Sequence, residues 1–177
     1  PMILINYTDV NSVSVSPVSS NTDADTQIQF SHILTNAVGG SISENVTWSS
    51  SDGTIDSNGL FTPEFVGTHN ITACFGVICD IQTVTVTPGQ PTTLVVEDVQ
   101  ETITADQSFT IYASVEDQHG NTVPGMTITY TPSNGSMIGT TFYPHRIGSQ
   151  SVSVECMGQV VTVNIEVVGG LPVSYRT

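Results

Sequence analysis

Val46 to Gly89 reads VTWSSSDGTIDSNGLFTPEFVGTHNITACFGVICDIQTVTVTPG, and about 82 residues later Ile128 to Gly170 reads ITYTPSNGSMIGTTFYPHRIGSQSVSVECMGQVVTVNIEVVGG. Trp48 answers Tyr130, Asp52-Gly53 answers Asn134-Gly135, and Phe61-x-Pro63 answers Phe142-x-Pro144. Gly67 answers Gly148, and Cys74-x-Gly76 answers Cys156-x-Gly158. Self-similarity at a fixed period marks a repeated structural unit. The unit here is of a size at which a β-sandwich closes one core, so 177 residues make two domains.

The flanks extend the pattern in both copies. Ile28, Phe30, His32 and Leu34 alternate with Gln29, Ser31 and Ile33, and Phe109, Ile111, Ala113 and Val115 keep the same parity. Alternation of this kind gives strands with one buried face. His32 takes the place of Ala113 and is expected at the edge of the core rather than as a ligand. Trp48 and Tyr130 are expected to anchor the two cores, with a sugar-stacking platform as the alternative.

Val and Ile alternating with Ser and Thr is the composition of half-buried strands. Sixteen Asp and Glu stand against Arg146 and Arg176, with no Lys, for a formal net charge of −14. Nucleic acid and anionic membranes need basic residues, so neither is expected as a partner. Without Lys, a Lys–Asn isopeptide cross-link cannot form. No apolar run is long enough to span a membrane as a helix. A chain that begins at Pro1 reads as a processed or excised piece.

The hairpins are the most specific local signals. Gly76-Val77 and Gly158-Gln159 each place Gly first in a two-residue loop, as a type II′ turn requires. In the first copy this sets Cys74 opposite Cys79 in a non-hydrogen-bonded pair, close enough for a disulfide, and the pair implies an oxidising compartment. In the second copy it sets Cys156 opposite Val161, leaving Cys156 as a buried small hydrophobe. The inward parity of Ile71, Ala73 and Phe75 turns Cys74 and Cys79 outward and brings Asp80 opposite Ala73. A β-bulge between Asp80 and Val84 is therefore expected.

Having these residues in hand, both halves resemble the prokaryotic immunoglobulin-like repeats of invasin- and intimin-type adhesins. The second half carries ITADQSFTIYASVEDQHGNTVPGMTITY with the run from Asp117 to Gly125, and the first carries VTWSSSDGTIDSNGLFTP, Gly67 and ITACFG. The resemblance implies an all-β fold of two tandem immunoglobulin-like Greek-key sandwiches, about seven strands each. The expected divisions are an N-terminal strand or extension over 1–9, domains over 10–89 and 90–170, and a tail or further repeat over 171–177. Two prolines in Thr87 to Pro91 predict a short, stiff junction. The resemblance also implies an extracellular location, on a cell or virion surface, and a spacer or adhesive role with no catalytic residues to carry over.

The leading expectation is a non-catalytic structural module of a stalk, surface layer, filament or appendage. The alternative is an adhesin-type module that recognises glycan or a receptor. Partners would be neighbouring repeats or identical subunits, with residues 1–9 as a segment that adds a strand to a neighbour. No cofactor is expected. Calcium would sit, if anywhere, at Asp23/Asp25, Asp52/Asp56 or Asp98 and Asp117, although no D-x-D-x-D-G loop is present. Asn6, Asn45, Asn70 and Asn134 head N-x-S/T triplets compatible with glycosylation.

Overall fold

The computed structural model describes residues 9–170, and within them the chain is entirely β. Most of the proposed donor segment, the Asn6 triplet and residues 171–177 lie outside the described residues. The chain divides into two compact units with the boundary between Gln90 and Pro91.

Domain 1 contains β1 (Val10–Ser16), β2 (Ser20–Asp23), β3 (Ile28–Gln29), β4 (Ser31–Asn36), β5 (Ser41–Ile42), β6 (Thr47–Ser50), β7 (Thr54–Ile55), β8 (Leu60–Thr62), β9 (Gly67–Phe75) and β10 (Ile78–Thr87). One layer has the order β2-β10-β9-β6, with β2 parallel to β10 and the rest antiparallel. The other layer is built from β1-β4-β5 and β3-β8-β7. These two pieces share one strand, interrupted only at Phe30, whose N–H bonds to Gly59 O at 2.8 Å. The first strand thus leaves one sheet as β1 and joins the other as β2, as in an immunoglobulin-like sandwich.

Domain 2 repeats the plan with β11 (Thr93–Val96), β12 (Gln100–Thr104), β13 (Phe109–Thr110), β14 (Ala113–Glu116), β15 (Thr129–Pro132), β16 (Ser136–Ile138), β17 (Thr141–Tyr143), β18 (Gly148–Cys156) and β19 (Gln159–Val168). Its layers are β12-β19-β18-β15 against β11-β14 and β13-β17-β16. The chain is therefore two immunoglobulin-like Greek-key sandwiches in tandem.

Each core follows from the alternation. Phe30, Leu34, Phe61, Ile71, Ala73, Val84 and Val86 meet in domain 1, each at most 1% exposed. Their counterparts in domain 2 are Ile111, Val115, Phe142, Val152, Val154, Ile165 and Val167, each at most 2% exposed. Complete burial of such a side chain contributes about 1.5–3 kcal/mol. Trp48 and Tyr130 are only half-buried and pack against these clusters from the side. The anchors are instead Phe61 and Phe142, and Phe61 meets Phe30 edge to face with ring centroids 6.4 Å apart.

The recurrence of Asp52-Gly53 and Asn134-Gly135 has a steric cause. A Cβ on either glycine would lie 2.5 Å from a backbone oxygen, that of Thr62 or Tyr143. Both glycines also hold positive φ, +65° and +108°. Only glycine lets the turn after the half-buried aromatic fold down onto the Phe-x-Pro strand.

The register corrects two expectations. In domain 2 the two-residue loop is Met157-Gly158, not Gly158-Gln159, and Cys156 pairs with Gln159 rather than Val161. Both loop residues hold positive φ, +53° and +74°, which is a type I′ turn. In domain 1 the loop is Gly76-Val77, with only Gly76 at positive φ, +61°. The two strands preceding the hairpins correspond at an offset of 81, so the shared Cys-x-Gly letters were out of step by one residue. Cys156 occupies the place of Phe75, and Cys74 that of Glu155.

The second correction concerns the expected bulge. β9 and β10 pair without interruption from Phe75↔Ile78 to Gly67↔Val86, so there is none between Asp80 and Val84. Asp80 and Gln82 lie opposite Ala73 and Ile71 on the face that carries Val84 and Val86. Polar side chains are tolerated there because they find partners: Asp80 accepts from Val15 N–H and from Gln82 Nε2.

Candidate functional site

The β9–β10 hairpin gathers the residues singled out in the sequence. Cys74 and Cys79 stand opposite each other with Cα atoms 4.1 Å apart and are joined by a disulfide. They face away from the core, while Phe75 and Ile78 pack against it. Val77 at the tip is 98% exposed. The bridge therefore closes the outer side of a hairpin end, where solvent and proteases reach the chain.

Asp80 reaches across the sandwich. Val15 N–H donates to its Oδ2 at 2.6 Å, Ile81 N–H donates to Oδ1 at 2.9 Å, and Gln82 Nε2 donates to Oδ2 at 3.1 Å. β1 is an edge strand, so the Val15 donor would otherwise point out of the sheet. The Val15 donor, helped by Gln82 and Ile81 and partly opposed by desolvation, holds the Asp80 carboxyl below the usual carboxylate range.

Domain 2 secures the corresponding strand with a different group. Leu94 N–H donates to Gln159 Oε1 at 2.9 Å, and Gln159 Nε2 donates to Thr92 O at 2.6 Å. Here Cys156 is 4% exposed and free, beneath the hairpin rather than on it.

The other candidate residues are used locally. His32 is half-buried, places Nε2 3.1 Å from Glu44 O, and meets Trp48 edge to face at 5.9 Å. Asp56 Oδ1 accepts from Asn58 N–H and Leu60 N–H at 2.8 Å each. The Leu60 donor leads in lowering its carboxyl, with burial opposing. Asp23 Oδ1 accepts from Asp25 N–H at 3.1 Å, and Asp25 Oδ2 accepts from Gln90 N–H at 2.6 Å, closing the end of domain 1. Asp117, 3% exposed, accepts from the N–H groups of His119 and Asn121 and from Asn121 Nδ2, all at 2.9 Å. Asn36 performs the same job in domain 1 for Val38 and Gly40. The run from Asp117 to Gly125 is thus a loop-building motif.

Asp52 Oδ2 lies 3.6 Å from His69 Nε2, and that nitrogen donates to Phe65 O at 2.8 Å. Burial raises the Tyr130 hydroxyl. Among the described residues no three His, Cys, Asp or Glu side chains converge to hold a metal. Asn45 and Asn70 are exposed and Asn134 is half-buried.

Sequence reasoning missed a difference between the outer faces: domain 1 exposes Ile33 (58%) there, whereas domain 2 exposes aromatic rings. In domain 2, Tyr112 (61% exposed), Ile138 (69%) and Tyr143 (39%) point outward. Thr110 and Thr141 lie on the same face, with hydroxyls 3.1 Å apart. The domain 1 counterparts of the tyrosines are Ser31 and Thr62. The signal was present in the parity of Tyr112 against Ile111, which puts it outside.

No protein-family profile matches the chain, and no curated protein matches it. Among solved structures it is similar to domains 4 and 5 of the surface-layer protein SbsC, with 17% identity over 91% of this chain and 100% of that one, TM-score 0.46. It is similar also to the Escherichia coli adhesin FdeC, with 18% identity over 91% of this chain and 66% of that one, TM-score 0.43. The Yersinia pseudotuberculosis adhesin InvE shares 12% identity over 92% of this chain and 61% of that one, TM-score 0.44. The chain spans 29% of the structure of SbsC domains 1–6. Neither ligand nor activity follows from likeness at these levels.

Proposed function

We propose that the chain is a non-catalytic structural module of a cell-surface protein, a spacer built from tandem immunoglobulin-like sandwiches within a stalk, surface layer or filament. The observation that carries this reading is the duplication of a closed core whose polar groups are spent on holding loops and strands. Asp56, Asp80, Asp117 and Gln159 all bond to backbone groups of loops or edge strands. A disulfide on an exposed hairpin fits an oxidising, extracellular compartment. The reading needs no cofactor, and a calcium titration that raises the melting temperature overturns that part. Electron microscopy of the purified protein tests the role: end-to-end or lateral arrays support it. A protein that stays monodisperse yet binds surface glycans tightly overturns it.

The second reading, an adhesin-type module that recognises glycan or a receptor, is favoured by the outward Tyr112, Ile138 and Tyr143 of domain 2. Exposed tyrosines offer flat faces on which sugar rings stack. Replacing both tyrosines by Ser, the type of residue found in domain 1, abolishes cell or glycan binding if this reading holds and leaves it unchanged if the spacer reading is complete.

A further inference from the structure

In domain 1 the layer β2-β10-β9-β6 turns one face to solvent, and the register fixes which residues lie on it. Ile71, Ala73, Val84 and Val86 point into the core, so Thr68, Asn70 and Thr72 of β9 point out. So do positions 47 and 49 of β6 and the odd-numbered positions 79 to 87 of β10. On these three strands the face holds Ser, Thr, Asn, the disulfide and Ile81, with no charge. β2 adds one acid, Asp23, at its last position. The chain as a whole has sixteen Asp and Glu, and the corresponding face of domain 2 carries Glu155 and Glu166.

Two of the N-x-T triplets open onto this uncharged face. Asn70 and Thr72 both point outward, because positions two apart on a strand share a side. Asn45 and Thr47 repeat the arrangement on the adjacent strand, both exposed with Val46 buried between them. Among the described residues no hydrogen bond holds either side-chain amide. The bonds at Asn70 are made by its backbone N–H and carbonyl, both with Ser51. Asn134 differs: it is half-buried in a turn whose next residue, Gly135, lies against Phe142 and the Tyr143 carbonyl. Domain 2 has Ser151 in place of Asn70 and Thr127 in place of Asn45. Among the described residues, the triplets with an open, outward amide therefore fall on the layer that lacks charge.

We infer that Asn70 and Asn45 carry N-linked glycans, and that these cover the uncharged face of domain 1. The hydroxyl two residues on is what makes each amide an acceptor. The donor is a lipid-linked glycosyl phosphate. The amide nitrogen forms a bond to the anomeric carbon as the bond from that carbon to the phosphate oxygen breaks; the lipid phosphate leaves, and the amide gives up one proton to the transferring enzyme. A bulky, hydroxyl-rich sugar hydrates this surface as carboxylates do on domain 2. It also lies over Ile81, which is 56% exposed opposite Thr72. The inference rests on the cell-surface reading, because such transfer takes place outside the cytoplasm.

Peptide mapping of the chain from its source cell tests it. Cleavage after Asp and Glu releases residues 45–52 with Asn45, 65–80 with Asn70 and 118–155 with Asn134. The first two peptides carry added mass that fragments as sugar residues, and the third has the mass of its sequence. Thr72→Val, expressed in the same cell, suits a strand and leaves Asn70 in place, yet strips the sugar from 65–80 alone. Thr72→Ser keeps it. A bare 65–80 peptide from chain recovered at the cell surface overturns the inference and leaves the cell-surface reading standing. Sugar that survives Thr72→Val, or that occupies Asn134 as fully as Asn70, overturns it as well. The double variant Asn45→Gln, Asn70→Gln loses solubility relative to the wild type, and equal solubility overturns the covering role.

Discussion

The two domains fasten the same joint with different chemistry. In domain 1 the last strand holds the first through a carboxylate, Asp80, on Val15 N–H; in domain 2 it does so through an amide, Gln159, on Leu94 N–H and Thr92 O. The amide both accepts and donates and carries no charge. The carboxylate accepts more strongly but must stay ionised. One sandwich plan therefore tolerates a titratable and a non-titratable tie, and only domain 1 adds a disulfide at the adjoining hairpin.

The largest effect sets the baseline for that comparison. Phe61→Ala and Phe142→Ala each cost their own domain about 3–5 kcal/mol. The loss is greater in domain 1, where the edge-on partner Phe30 is stranded as well. Calorimetry of the full chain, with one transition lowered in each variant, checks this; equal losses would show that the Phe30 contact adds nothing.

Reducing Cys74–Cys79 sharpens the difference further. Chain closure over so short a loop limits the loss to at most about 2 kcal/mol, confined to domain 1. A shift of the domain 2 transition on reduction would contradict it. Gln159→Ala does the opposite, lowering domain 2 by about 1–2 kcal/mol, since both a donor and an acceptor lose their partner. Urea denaturation followed at two wavelengths, or by amide exchange, separates the domains.

The smallest effect carries the sign that distinguishes the ties. Asp80→Ala costs domain 1 about 1 kcal/mol at neutral pH. Because the folded carboxyl is held below its unfolded value of about 3.9, the contribution is fully present above pH 4 and disappears as pH falls through the folded value. Wild type and variant thus converge in acid. A variant difference that persists at pH 2 would mean that Asp80 acts through packing rather than charge.

Much of this was legible in the letters. The repeat, the alternating faces and the Cys74–Cys79 pairing followed from local rules: period two, and a glycine first in a two-residue loop. What escaped depended on distant or steric information. Asp80 finds its partner 65 residues away, so its inward position looked like an error needing a bulge. Cys156 was placed one register step out because matching letters are not matching strand positions; Met157 supplies a positive φ that its side chain does not advertise. Trp48 looked like the anchor because it is large, yet Phe61 in the short strand before Pro63 is the residue the layers close upon.

Cys156 gives the folded protein a built-in clock. With the other two cysteines locked together, it is the sole thiol, and at 4% exposure a maleimide dye cannot reach it until domain 2 opens. The rate of labelling in native buffer therefore times the breathing of one sandwich while its twin stays silent, without any engineered probe.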